Sequence, residues 1–202
     1  MAQQSGAVTA LDRDDTDLAH ALARAMDGDE DGFALLYRML QPRLLRYVAA
    51  LVGGDAEDVT AEAWLQVARD LRKFSGNASG FRGWVATIAR HRALDHLRAR
   101  QRRPIVLDDL VALSERPSGE DTAAKALEQL RTSAAVALVA GLPREQAEAV
   151  LLRSVLGLDV ATTAQVLNKR PTAVRVAAHR GLKRLAAQLQ RSVAVGEDPL
   201  AV

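Results

Sequence analysis

The chain of 202 residues contains no cysteine. This absence excludes disulfide bonds and metal sites built from thiolates, and it fits a reducing compartment. Aromatic residues are scarce, with three phenylalanines, two tryptophans and two tyrosines. No apolar run approaches the roughly 20 residues that a membrane-spanning helix needs, and the N-terminus is acidic where a signal peptide would be basic and then apolar. These features predict a cytoplasmic protein.

A sustained alternation of apolar and polar residues, which is the pattern of β-strands, is also missing. Apolar residues recur at helical spacing instead, and they are numerous enough to form buried cores. We therefore predict an all-α fold of two small helical domains joined by a flexible linker. The predicted parts are an acidic, disordered N-terminal extension over 1–28, a first helical domain over 29–104, a linker over 105–121, a second helical domain over 122–191 and a disordered tail over 192–202.

Local signals subdivide the first domain. Residues 33–52 predict two consecutive helices, because Pro42 must break or kink a single one. Asp55 is placed to cap the next helix, which runs over residues 56–71. The small polar residues at 75–80 predict a loop.

Charge is strongly segregated along the chain, although the formal net charge is only +2. Residues 1–31 carry eight acids and two arginines, a net of −6, whereas residues 81–103 carry seven arginines and one acid, a net of +6. Residues 169–191 hold seven lysines and arginines and no acid. Both basic stretches have helical apolar spacing, so they predict two amphipathic helices that contact nucleic acid. The acidic N-terminus could fold over a basic face, and an inert extension is the alternative.

Residues 158–185 have the dimensions of a helix-turn-helix. Asp159 can cap a first helix, Asn168 tolerates the left-handed backbone of a tight turn, and Pro171 suits the first position of the second helix. A recognition helix in a major groove must present polar and basic side chains outward. The second helix would present Thr172, Arg175, His179, Arg180 and Lys183. A solvated basic helix in an ordinary bundle is the alternative.

The two blocks in this order resemble the extracytoplasmic-function (ECF) class of bacterial sigma factors, the promoter-specificity subunits of RNA polymerase. Residues 33–104 are similar to sigma region 2, and residues 127–190 are similar to sigma region 4. The pieces that carry the resemblance are DAEDVTAEAWLQVARDL (55–71), FRGWVATIARHRALDHLR (81–98) and LPREQAEAVLLRSVLGL (142–158).

The resemblance implies a non-enzymatic protein that binds core RNA polymerase and directs promoter-specific initiation. Region 2 would recognise and melt the minus-ten element, region 4 would bind the minus-thirty-five element, and an anti-sigma factor would hold the protein inactive. Promoter DNA, core polymerase and the anti-sigma factor are the expected partners. No metal, cofactor, small-molecule substrate or membrane insertion is expected.

The resemblance also implies roles for individual residues. Core polymerase would dock on Asp55, Glu57, Asp58, Glu62, Trp64 and Leu65. A flipped minus-ten base and its flanking phosphates would contact Asn77, Ser79, Phe81, Arg82, Arg90, His91, Arg98 and Arg100. The minus-thirty-five element would contact Lys169, Arg170, Thr172, Arg175, His179, Arg180, Lys183 and Arg184. A solvated acidic face and core positions for the aromatic residues are the alternatives.

Four residues of the helix-turn-helix depart from the family pattern. Thr162 and Thr163 stand where an acidic and a bulky aliphatic residue are usual, Lys169 replaces a common apolar turn residue, and Arg170 takes a position often held by a serine. These departures predict altered packing of the motif and an unusual minus-thirty-five element.

Three other classes of protein share some of these features. A repressor or activator would share the helix-turn-helix but has no need of residues 33–103. A DNA-processing enzyme such as a recombinase needs a nucleophile surrounded by acids, bases or arginines, which we do not find, and no histidine has metal-ligand spacing to carboxylates. A purely structural helical adaptor would not need two basic faces.

Overall fold

The computed structural model describes residues 3–102 and 137–194, together with residue 135. These residues form helices, turns and short connections, without any strand. The helices are α1 (Gln3–Met26), α2 (Glu30–Val52), α3 (Ala56–Asp70), α4 (Ala78–Arg102), α5 (Arg144–Ser154), α6 (Val160–Leu167) and α7 (Pro171–Ala194). The predicted linker and residues 195–202 of the predicted tail lie outside the described residues.

Helices α1–α4 form one bundle, and α5–α7 form a second, smaller one. The first is built around large buried side chains such as Tyr47, Val67 and Phe81, and the second around Leu151 and Val174. The predicted all-α fold with two helical domains is therefore confirmed. The two cores are continuous with one another, because α6 packs against α4 and α5 packs against α2. None of the described helices is both long and apolar enough to cross a membrane.

The N-terminal segment differs from its prediction. Residues 1–28 were expected to be disordered, but residues 3–26 form α1 and pack against α2. One face of α1 is buried, at the i, i+3, i+4, i+7 spacing of an amphipathic helix. It consists of Leu18, Ala21, Leu22 and Ala25. The apolar spacing of residues 18–26 is compatible with a short helix, whereas the acidic composition of the whole segment indicates disorder.

Helix α2 is continuous through Pro42, so the prediction of two helices was wrong. The proline removes one backbone hydrogen bond and crowds the preceding turn. Leu36 and Leu40 before it and Leu44 after it are all buried on the same side of α2. This shared packing holds the two halves of the helix together.

Asp55 does not cap α3 as predicted, because its side chain makes no capping hydrogen bond. Its Oδ2 atom lies 2.9 Å from Nε2 of His96 and accepts a 3.3 Å hydrogen bond from Nη1 of Arg100. The carboxylate thus joins the start of α3 to α4.

The helix-turn-helix has the local geometry that was predicted. Asp159 caps α6, and its Oδ1 accepts a 2.8 Å hydrogen bond from the backbone N–H of Thr162. Asn168 ends that helix in the left-handed conformation, at φ 51° and ψ 50°, and Pro171 begins α7. All three of these predictions are confirmed.

The close approach of α1 and α2 can be tested at Gly32. A Cβ atom on Gly32 would lie 2.7 Å from the backbone nitrogen of Ala25 and 2.7 Å from Cβ of Arg24. We expect Gly32→Ala to lower the free energy of unfolding by about 1–3 kcal/mol, because the helices must move apart. Gly54→Ala is the matched control, since its added Cβ would meet nothing within 4 Å. Urea unfolding followed by circular dichroism measures the stability of both variants. Equal unfolding midpoints for Gly32→Ala and Gly54→Ala would contradict the close contact at Gly32.

Candidate functional site

Helix α3 presents an acidic surface with an apolar centre. Asp58, Glu62 and Leu65 are exposed on one side of the helix, with Glu57 beside them. Leu65 is 67% exposed, which is unusual for so large an apolar side chain in this structure. Carboxylates around an exposed leucine suit a protein partner that carries basic and apolar groups.

Trp64, predicted to contact the same partner, is buried instead, at 5% exposure. Its ring packs edge-on against Phe33 and lies 5.0 Å from the ring of Tyr37, while its Nε1 donates a 2.6 Å hydrogen bond to Oε1 of Gln41. Trp64 therefore fixes α3 to α2. Tyr37 is 40% exposed beside this contact. The sequence did not single it out, because a tyrosine within an apolar helical pattern such as residues 33–52 is ordinarily buried.

The predicted loop at 75–80 is shorter than expected, because α4 already begins at Ala78. Asn77 is exposed, and its Oδ1 accepts a 2.8 Å hydrogen bond from the backbone N–H of Gly80. Asn77 thus caps α4, and its amide NH2 group makes no hydrogen bond to any residue that the structure describes. Ser79 is half-buried in the first turn of the helix.

An aromatic cluster supports this end of α4. The ring of Phe74 lies 5.3 Å from each of the rings of Phe81 and Trp84. Phe81 is fully buried, so its predicted contact with a base is replaced by a core position. The half-buried rings of Phe74 and Trp84 are the ones that reach the surface near Asn77.

The arginines of α4 do not all face outward as predicted. Arg98 and Arg100 are exposed, as is His91. Arg82, by contrast, is buried at 6% exposure and forms an ion pair with Asp15 of α1. Burial lowers the pKa of the Arg82 guanidinium. Periodicity could not predict this pair, because its carboxylate comes from a distant segment.

Arg90 forms a second such pair, across the two domains. Its Nε donates a 2.8 Å hydrogen bond to Oε1 of Glu148 in α5, and its Nη2 donates a 3.3 Å bond to Oε2. Glu148 is buried. Burial lowers the pKa of Arg90, but the hydrogen bonds and the charge of Glu148 raise it by more, so the net shift is upward. Such a two-point pair is strong and directional.

Helix α7 keeps its basic side chains exposed. Its inner face is formed by Val174, Ala178 and Gly181, and a Cβ atom on Gly181 would meet the side chain of Val150 in α5 at 2.7 Å. The predicted recognition residues are all exposed, namely Lys169, Arg170, Thr172, Arg175, His179, Arg180, Lys183 and Arg184.

Two residues of the helix-turn-helix, Thr163 in α6 and Lys169 in the turn, are held by side-chain hydrogen bonds. Lys169 donates a 2.8 Å bond to Oε1 of Glu145, which lowers the pKa of that carboxyl group. Thr163, one of the departures from the family pattern, is fully buried, and its hydroxyl donates a 2.7 Å bond to the backbone oxygen of Asp159. The threonine is accommodated because its polar atom has a partner within the same helix.

Two known family models match the chain, one in each of its two domains. Residues 36–103 match the family model for Sigma-70 region 2, and residues 133–185 match the model for Sigma-70, region 4. The described residues of these ranges lie in the two helical domains.

The chain also has curated relatives along most of its length. It is 33% identical over 181 residues to the ECF RNA polymerase sigma factor BldN of Streptomyces coelicolor, which covers 88% of this chain and 67% of the relative. It is 34% identical over 186 residues to the ECF RNA polymerase sigma factor ShbA of Streptomyces griseus, covering 86% of this chain and 96% of the relative.

A solved structure shares the fold. The structure of CnrH in complex with the cytosolic domain of CnrY matches with a TM-score of 0.60 and 20% identity, over 87% of this chain and 98% of that one. Fold, domain order and sequence identity agree, and the chain belongs to the ECF family of RNA polymerase sigma factors.

Proposed function

We propose that this sigma factor docks on core RNA polymerase through α3, contacts the minus-ten element around Asn77 and α4, and binds the minus-thirty-five element with α7. The observation that supports this best is the position of the exposed charge. The acidic surface of α3 and the basic surfaces of α4 and α7 lie on separate helices, in the order of the family's regions 2 and 4.

Each surface has the chemistry that its role requires. Carboxylates around Leu65 would meet basic and apolar groups on the polymerase. An amide and half-buried aromatic rings could hold an unpaired base by hydrogen bonding and stacking. Exposed arginines on α4 and α7 would contact phosphates, which position the protein, and one or two would contact base edges, which specify the sequence.

Family membership also leads us to propose an anti-sigma factor as a regulatory partner. Such a protein would inhibit the chain by covering the α3 surface, the α7 surface or both. Its own surface should then be basic opposite α3 or acidic opposite α7.

Transcription with core polymerase tests the proposed function directly. We expect the purified protein to produce promoter-dependent transcripts from a genomic promoter library, without any added cofactor. Glu62→Lys should weaken binding to core polymerase about tenfold, or about 1.4 kcal/mol, whereas Asp17→Lys, the same charge change at an exposed position on α1, should not. The absence of any promoter-dependent transcript would refute the proposal.

The two roles of Asn77 can be separated by substitution. Asn77→Ser keeps a side-chain oxygen that caps α4, and Asn77→Ala loses it. If the amide also holds a minus-ten base, both variants should bind a single-stranded minus-ten oligonucleotide more weakly, by about 1–3 kcal/mol. Fluorescence anisotropy measures the affinity for the oligonucleotide, and a thermal melt measures the stability that the helix cap contributes. Wild-type affinity in Asn77→Ser would mean that the residue only caps the helix.

Base and phosphate contacts on α7 should respond differently to substitution. Arg175 and His179 are four residues apart and share a face, whereas Arg180 points about 140° away from Arg175, at 100° per residue. We expect Arg175→Ala to cost about 1–3 kcal/mol and to relax preference at one base pair. Arg180→Ala should weaken all sequences alike and flatten the salt dependence. Affinities for promoter variants that differ at single base pairs distinguish base contacts from phosphate contacts. Uniform weakening by Arg175→Ala across these variants would refute its role in base recognition.

A further inference from the structure

An apolar side chain is exposed in the middle of the basic surface of α7. Val176 is 47% exposed, and it is the sixth residue of a helix that begins at Pro171. Thr172 lies one turn before it and Arg180 one turn after it, and both are exposed. Residues four apart lie on the same side of a helix, so the valine is surrounded by hydrogen-bond donors. The packing of the described residues does not explain why an apolar side chain is placed here.

The position of Val176 around the helix points it away from the domain core. At about 100° per residue, Val174, which is buried, points about 160° away from Val176. Arg175 and Arg180 lie on either side of the valine, at about 100° and about 40° from it. Val176 therefore lies inside the exposed arc of α7, on the side from which DNA approaches a recognition helix.

The first domain packs elsewhere on the helix-turn-helix domain. Helix α6 packs against α4, and α5 packs against α2. One contact lies at Gly83 of α4, where an added Cβ atom would clash with the side chain of Thr162 in α6. Val176 and its polar neighbours are therefore accessible to a partner in the part of the chain that the structure describes.

The chemistry around the valine favours DNA over a protein partner. Thymine presents a methyl group in the major groove, and acceptor atoms of the bases lie beside it. An apolar side chain among hydrogen-bond donors matches this pattern. A protein that bound through Val176 would need a larger apolar patch. Leu182, the other large apolar side chain listed as exposed on the described part of α7, cannot extend such a patch, because it points about 120° away.

We propose that Val176 determines specificity by contacting the C5 methyl group of a thymine in the minus-thirty-five element. This inference rests on the proposed function, in which α7 binds that element. Valine suits the role because its branched Cβ leaves one strongly preferred rotamer in a helix, so its methyl groups are in place before DNA binds. A polar base edge at the same position would lose hydrogen bonds to water without replacement. The contact therefore also disfavours other bases.

Removal of the thymine methyl group alone tests this contact. Deoxyuridine pairs like thymine and lacks only the C5 methyl group. In a promoter from the genomic library, each thymine of the minus-thirty-five region is replaced singly by deoxyuridine. Binding of core polymerase reconstituted with the full chain is then measured at one salt concentration. One replacement should weaken binding about fourfold, which corresponds to about 0.8 kcal/mol for one buried methyl group. No effect at any thymine, or a minus-thirty-five region without thymine, would overturn the proposal.

Substitution of the valine shows whether Val176 itself makes the contact. Val176→Ala preserves the helix, because alanine is the best helix former, and it should bind the thymine and deoxyuridine promoters equally. Val176→Ile keeps a branched apolar side chain, and Leu182→Ala removes an exposed apolar side chain outside the arc. Both of these controls should keep the fourfold difference. A fourfold difference that persists in Val176→Ala would assign the methyl contact to another residue and overturn the proposal.

The same measurements separate this inference from the proposed function. If polymerase that carries the unmodified protein binds no promoter, the proposed function fails and this inference fails with it. Promoter binding without coupling between Val176 and a thymine methyl group would overturn this inference alone. Weaker binding of Val176→Ala to core polymerase in the absence of DNA would show that the valine contacts protein, and this result would also overturn it.

Discussion

Helix α4 is the element on which the other helices are positioned, because α1, α2, α3 and α6 all pack against it. Its buried face combines the large side chains of Phe81, Val85 and Ile88 with short ones, and Ala86, Ala89 and Ala93 are fully buried at one-turn intervals. Beside these alanines the neighbouring helix backbones pack close together, because no large side chain separates them.

Packing around α4 also determines which of its charges are exposed. In the part of α4 that other helices surround, Arg82 is paired with Asp15 and Arg90 with Glu148, and both carboxylates come from segments far away in sequence. Towards the C-terminal end Arg98 and Arg100 are exposed, although each also has an aspartate beside it, Asp95 and Asp55 respectively. The exposed positive charge in the middle of α4 is therefore smaller than the sequence indicates, whereas α7 keeps its basic side chains exposed.

Features determined by neighbouring residues were predictable from the sequence. The cap at Asp159, the left-handed turn at Asn168 and the start of α7 at Pro171 follow from local backbone chemistry, and all three were predicted. The order of the two domains followed from the spacing of apolar and basic residues.

Features that depend on distant partners were not predictable. Asp55 has the sequence context of a helix cap, but His96 and Arg100 occupy its carboxylate. The acidic N-terminal segment has the composition of a disordered chain, but a narrow apolar face fixes it to α2. Exposure of the individual arginines on α4 likewise depended on carboxylates whose positions only the folded chain defines.

At position 83, the stability of α4 and its contact with α6 favour different residues. Glycine in the interior of a helix costs about 0.5–1 kcal/mol relative to alanine, so α4 would be a better helix with alanine there. That added methyl group would occupy the space taken by Thr162. Selection for thermal stability of the first domain alone would therefore favour a residue at position 83 that keeps α6 further from α4.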